Sequence, residues 1–213
     1  MAGKEFTIGV LALQGAVSEH LAMIEECGAR GVEVKRPSGL DGVHGLIIPG
    51  GESTTIGKLI DEYKFESALL ELGSSGVPVF GTCAGLIVMA ARVEGRHGPG
   101  LRLADVGVRR NAFGRQVDSF EEDIVVRGIE DEGRPFRAVF IRAPVIEEAG
   151  AGVEVMARFG EGVVMAREDN YLLSAFHPEL TGDGRIHDYF LRMVRESIGG
   201  IGTRRSIKRD SEV

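Results

Sequence analysis

Two cysteines in 213 residues, Cys27 and Cys83, are too few for a disulfide framework. That points to a cytosolic chain with reduced thiols. No apolar run approaches the ~20 residues needed to span a bilayer. The opening stretch MAGKEFTIGV lacks the apolar core and cleavage site of a secretory signal. Positive charge is also short: 25 Lys and Arg against 32 Asp and Glu leave a net charge of -7. This balance argues against a general nucleic-acid or membrane role. No Cys/His cluster has zinc spacing, so neither metal nor cofactor is expected. There is no internal repeat and no composition break that would divide the chain. At this length, one large domain is expected.

Glycine, in contrast, is abundant. Its 31 residues are about twice the average share, which implies many tight turns or close backbone approaches. The first half alternates β-rich apolar runs with helical patterns. FTIGVLAL (6–13), VEVK (32–35), GLIIPG (45–50) and VPVFG (77–81) read as strands. SEHLAMIEECGAR reads as a helix with Ser18 as N-cap and Leu21, Ile24 and Cys27 inward, while AGLIVMAAR (84–92) reads as another. Strand and helix in that rhythm imply a three-layer α/β domain with a mixed, largely parallel central sheet. The second half is richer in strand-like runs: FGRQVDSFEEDIVV, FRAVFIRAP, VEVMARF, GVVMARE and YLLSAF. These extend the sheet or add an antiparallel flap. A closing amphipathic helix is expected over 182–197, and a basic, flexible tail from 199 to 213.

The stretch IIPGGESTTIGKL (47–59) resembles a phosphate-binding loop and fails the test. Five residues separate Gly51 from Gly57 where four are required, and Leu59 stands where a magnesium-binding hydroxyl belongs. A different motif carries chemistry. Gly81-Thr82-Cys83-Ala84-Gly85 is a nucleophile elbow, G-x-S-x-G with sulfur for oxygen, between a strand and a helix. Cys27 lies on a patterned helix and reads as core. A thiol nucleophile needs a base. Among His20, His44, His97, His177 and His187, only His177 directly follows a buried strand, in YLLSAFHPEL. Pro178 biases it toward an extended backbone, which would set Glu179 on the same side as His177. Cys83, His177 and Glu179 are therefore the expected nucleophile, base and orienting acid. His20 and His187 are expected on helix surfaces. An elbow enzyme also needs an oxyanion hole, and the amides of Gly51 and Ala84 are the natural pair. This explains the glycine pair as well as any phosphate site could.

The chain resembles the triad-type (class I) glutamine amidotransferases and, within them, the glutaminase subunits of pyridoxal 5'-phosphate synthases. The stretches that carry the resemblance are LALQGAVSEH (11–20), PGGESTT (49–55), GTCAGL (81–86), RNAFGRQVDSFE (110–121), FIRAP (140–144) and FHPELT (176–181). The resemblance implies one glutamine amidotransferase domain over 1–198 that hydrolyses L-glutamine to glutamate and ammonia. It implies glutamine held by Gly51, Glu52, Ser53, Arg110, Ile141 and Arg142, and Gln14 in coupling to a partner. That partner would be a synthase subunit building pyridoxal 5'-phosphate from a pentose phosphate and a triose phosphate. Two other readings stand beside it: the glutaminase of another pathway, such as histidine biosynthesis, and a non-catalytic binding module on the same fold. LQGAVSEH and RNAFGRQ weigh against the first, and the intact triad against the second.

Overall fold

In the first half, fully buried strands lacking any polar face must be covered on both sides, which is the condition of a parallel sheet between helices. The computed structural model describes residues 6–95, 100–112 and 119–209, with 200–209 described by backbone alone. β1 (Thr7–Leu11), β2 (Arg30–Val34), β3 (Gly45–Ile48), β4 (Val79–Thr82) and β12 (Tyr171–Ser174) form its parallel half, in the order β2-β1-β3-β4-β12. Helices α1 (Val17–Glu26), α2 (Ser53–Glu62), α3 (Glu66–Ser74) and α4 (Ala84–Met89) connect these strands. The other half is mostly antiparallel. β11 (Gly162–Glu168) pairs with β12, β10 (Glu154–Phe159) and β9 (Val145–Ala149). β6 (Ala104–Arg109) follows β9, and β5 (Ala90–Val93) lies parallel to β6 at the edge. A separate ribbon pairs β7 (Ser119–Ile124) with β8 (Phe136–Ile141).

Strand alternation assigns the layers. Phe80 of β4 meets Phe190 of α5 (Arg185–Arg209) at 5.6 Å between ring centroids. Its neighbour Gly81 faces the other way, onto Gly85 and Met89 of α4. Helices α1 and α5 thus cover one face, and α4 with its neighbour α2 covers the other. The ribbon is fixed by aromatic packing: Phe120 stacks on Phe140 at 4.7 Å, and Phe140 and Phe136 both reach Phe176, at 5.6 and 5.8 Å.

Several local expectations need correction. The helix after the elbow stops at Met89, not residue 92, because the strand approaching β6 captures its last carbonyls: Leu101 N–H donates to Val88 O and Leu103 N–H to Met89 O. Ser18 does not cap α1. The N-cap is Ala16, and the Ser18 hydroxyl donates to Glu19 instead. The last helix begins at Arg185 and runs to Arg209, past the expected end at 197 and into the expected tail. No proline interrupts it. His97 and residues 113–118, which include the last four of RNAFGRQ, lie outside the described residues.

Candidate active site

Cys83 sits where β4 turns into α4, at φ 47° and ψ -100°. This is outside the regions open to a side-chain-bearing residue, so the turn stores strain at the thiol. The flanking glycines make the turn sterically possible. A Cβ on Gly85 would stand 2.0 Å from Ile48 O, and one on Gly81 would stand 2.8 Å from the Gly85 carbonyl carbon. Cys83 N–H is held by Ser174 O at 2.8 Å, which ties the elbow to β12. The thiol points toward Ile141 O, 3.8 Å away at the end of β8.

β12 leads three residues further to His177, whose N–H donates to Val139 O of the ribbon. The ring's Nδ1 meets Glu179 Oε1 at 2.7 Å. The pair forms as expected but not by strand alternation. Glu179 lies in a 3-10 turn, Pro178–Leu180, and this turn brings the carboxylate back under the ring. Burial alone would lower the His177 pKa. Cys83, then Glu179, outweigh it by hydrogen bonding and charge, and hold the imidazolium up at about 10.

The glycine pair after β3 closes the site from a neighbouring strand. A Cβ on Gly50 would fall 2.3 Å from His177 Cε1 and 3.3 Å from Cys83 Cβ, so only glycine lets this backbone lie against the pair. Gly51 is constrained by Gln14, whose Oε1 would lie 2.4 Å from an added Cβ and accepts the Glu52 N–H at 2.7 Å. Glu52 caps α2, accepting from the Thr54 and Thr55 amides at 3.0 and 2.7 Å. Those bonds hold its carboxyl down at about 2, so it is ionised at neutral pH. Arg110 stands 3.8 Å from Glu52 Oε1. Arg142 follows Ile141 in a left-handed conformation, φ 43°.

These residues line one open cleft of about 360 Å³: Gln14, Gly50, Gly51, Glu52, Ser53, Cys83, Ala84, Arg110, Ile141, Arg142 and His177. Every expected site residue is on its wall except Glu179, which is buried behind His177. The cleft lies beyond the carboxyl ends of β1, β3, β4 and β12, the edge at which parallel sheets bind ligands. It offers a thiol, an imidazole, the first amide of α4, the Gly51 amide, and charged groups of both signs. Among the described residues, no cluster of His, Cys, Asp or Glu is fit to hold a metal.

Two histidines contradict their expected places. His20 and His187 are both fully buried, not on helix surfaces. His20 Nδ1 lies 3.0 Å from His187 Nε2, and His20 Nε2 lies 3.1 Å from Thr82 Oγ1 and 3.4 Å from Glu179 Oε2. Periodicity contained the signal. His20 precedes Ile24 by four, and His187 precedes Phe190, Leu191 and Val194 by three, four and seven, all buried. Cys27 is half-buried, its thiol donating to Gly184 O at 3.7 Å. Burial, then Asp188, pushes that thiol up to about 12.

Comparison with known proteins agrees with this architecture. The model of the SNO glutamine amidotransferase family matches residues 10–196. A Pelotomaculum thermopropionicum protein, "Pyridoxal 5'-phosphate synthase subunit PdxT", is 58% identical over 86% of this chain and 93% of its own length. A Niallia circulans protein of the same name is 54% identical over 89% of this chain and 98% of its own. A solved "Crystal structure of glutamine amidotransferase" superposes with a TM-score of 0.83 at 48% identity, covering 88% of this chain and 98% of that one. A putative GMP synthase subunit from Thermoplasma acidophilum, at 17% identity and a TM-score of 0.64, shares the fold. With the family's model spanning nearly the whole domain, the chain belongs to the SNO glutamine amidotransferases.

Proposed function

We propose that the protein hydrolyses L-glutamine through a Cys83–His177–Glu179 triad and delivers the ammonia to a pyridoxal 5'-phosphate synthase subunit. The observation that carries the chemistry is the strained elbow at Cys83 beside a histidine held by Glu179 at 2.7 Å. With Nδ1 occupied by Glu179, Nε2 is the ring nitrogen left for the thiol and the substrate. The Cys83 sulfur attacks the carboxamide carbon, and the oxyanion forms between the amides of Gly51 and Ala84. His177 gives its proton to the departing ammonia, leaving a γ-glutamyl thioester. The ring's high pKa owes part of its rise to Cys83, and that contribution ends once the sulfur is acylated. The same ring is then a better base, able to take a proton from the water that cleaves the thioester.

Glutamine's two α-charges need partners of both signs. Glu52 and Arg110, close together on the cleft wall, and Arg142 on the same lining supply these, with Gly51, Ser53 and Ile141 as backbone neighbours. Gln14 couples the cleft to the partner: its side chain holds Glu52 N–H, so movement of the loop after β1 moves the glutamine-binding N-terminus of α2. The partner itself is inferred from the names of the relatives, each a synthase subunit. Among the described residues no helix is long and apolar enough to cross a membrane, in keeping with a cytoplasmic enzyme. Residues 1–198 act as the glutaminase domain. The test is glutamate release from glutamine with and without the synthase subunit, wild type beside Cys83→Ala. Undiminished release by the variant would refute the mechanism.

A further inference from the structure

The triad does not end at Glu179. Its outer oxygen, Oε2, is buried and makes no well-formed hydrogen bond among the described residues. The one ring nitrogen that faces it is His20 Nε2, at 3.4 Å, on a helix from the opposite end of the chain. A carboxylate only accepts, so this contact is favourable only in the tautomer in which His20 Nε2 carries the proton. Its Nδ1 is then a bare lone pair, and the proton in the 3.0 Å contact with His187 comes from His187 Nε2. That leaves His187 Nδ1 as a lone pair, in line with its having no partner. The tautomers of both rings follow from one carboxylate, and every N–H in the line points toward the triad. A side branch reaches the oxyanion loop: His20 Nε2 also faces Thr82 Oγ1, which accepts the Gly50 N–H at 2.9 Å. Besides Glu179, the titratable groups facing His20 are His187 from α5 and His177 beyond β12, while β4 contributes the non-titrating Thr82 and Phe80.

We propose that His20 is a positioning residue for the glutaminase reaction, holding Glu179 Oε2 and Thr82 in place, with His187 supporting it through its Nδ1. The proposal rests on the glutaminase reading above. A buried polar pair used only for folding would be an odd choice, because two apolar side chains of like volume would serve at least as well.

The experiment measures glutamate release by the protein in complex with its synthase subunit, beside far-UV melting curves. The variants are His20→Gln, His20→Ala and the paired His20→Leu/His187→Leu, which leaves neither ring orphaned. His20→Ala and the double Leu variant should lose roughly 10- to 100-fold in kcat, the scale of outer-shell supports, with KM for glutamine within about twofold. His20→Gln places an N–H near the Nε2 position and should recover part of that loss. In a Glu179→Gln background, His20→Ala should cost little more, since it acts through the group already altered. Wild-type kcat in the double Leu variant, a loss confined to KM, or fully multiplicative losses with Glu179→Gln would each overturn the proposal. Turnover surviving Cys83→Ala would instead overturn the glutaminase reading beneath it.

Discussion

The parallel and antiparallel halves of the sheet meet at the cleft but supply different things to it. From the parallel half come Gly50, Gly51, Cys83, His177 and Glu179, in the loop, elbow and turn that follow its strands, and all but Gly51 are buried. Their positions admit no extra atom: a Cβ at Gly50 or Gly85 would meet a ring or a carbonyl within 2.3 Å. The antiparallel half and its ribbon supply Ile141 at the end of β8 and Arg110 and Arg142 just past strand ends, with the Arg110 side chain 37% exposed. Bond-making atoms need fixed geometry, because a small misplacement multiplies through the rate. Groups that hold the substrate's ends tolerate mobility, at a cost in affinity alone. Substitutions at Gly51, Cys83, His177 and Glu179 should therefore act on kcat, and those at Arg110 and Arg142, as at Glu52 after β3, on KM.

The largest effect should come from Cys83→Ala. As sole nucleophile its loss should remove on the order of a millionfold of kcat, while Cys27→Ala leaves turnover unchanged. Glutamate release under single-turnover conditions reads both. Next, His177→Asn should approach the loss in Cys83→Ala. Glu179→Gln should cost less, up to about 10,000-fold, because the carboxylate orients and stabilises the ring without moving protons. The two also differ in pH dependence. The His177 pKa is raised from 6.5 to about 10, so its proton is held through neutral pH and lost as pH climbs through about 10. Removing the Glu179 charge removes one of the raising causes. In Glu179→Gln the ring should therefore lose its proton at lower pH than in the wild type. NMR titration of the His177 ring protons measures this directly, and a shift to higher pH would contradict the assignment.

The same contrast governs what the sequence disclosed. The elbow was legible because glycines at 81 and 85 flank a cysteine, and only a sharp turn explains both. His177 was legible because a buried strand runs into it. The place of Glu179 was anticipated for the wrong reason, since a 3-10 turn and not an extended backbone brings it to the ring. The pairing of His20 with His187 was missed. Polar residues on a helix are assigned to water by habit, and a separation of 167 positions gives no local sign that these two touch. β5, β6 and β9 were also missed, as short strands whose pairing is set by distant partners. The arginines were legible only through family resemblance, because an exposed arginine carries no local pattern that distinguishes a ligand from an ordinary surface charge.

Gly51→Ala sharpens the comparison from within the parallel half. The loss of one oxyanion donor typically costs on the order of 100- to 1,000-fold in rate, falling on kcat because the charge exists only in the transition state. The structure adds a second route. An alanine Cβ would lie 2.4 Å from Gln14 Oε1 and so displace the side chain that holds Glu52 N–H. Gln14→Ala removes that side chain while leaving Gly51 intact, so it isolates the second route. A loss in Gly51→Ala well beyond that of Gln14→Ala assigns the difference to the oxyanion. Equal losses would assign the whole effect to Gln14. Product formation from added ammonium salts, in complex with the synthase, should persist in both variants, since that route bypasses the thioester.

The smallest effect should come from the antiparallel side, and it tests the contrast most directly. Arg142→Ala removes a guanidinium proposed to meet glutamine's α-carboxylate, a group that carries the same charge before, during and after the reaction. Its loss should weaken ground state and transition state alike, and so raise KM with kcat nearly unchanged. A charge-assisted hydrogen bond contributes about 1.5–3 kcal/mol, so KM should rise roughly 10- to 100-fold. Arg142 also adopts a left-handed backbone, which alanine tolerates poorly and glycine accepts. Arginine and alanine bear the same Cβ strain there, so Arg142→Gly separates the lost charge from relief of strain: both variants should share the KM increase, and alanine should leave the melting temperature near that of the wild type. A fall in kcat as large as that of Gly51→Ala, in either variant, would mean that the ribbon loop shapes the reacting geometry. The division of labour between the two halves would then fail.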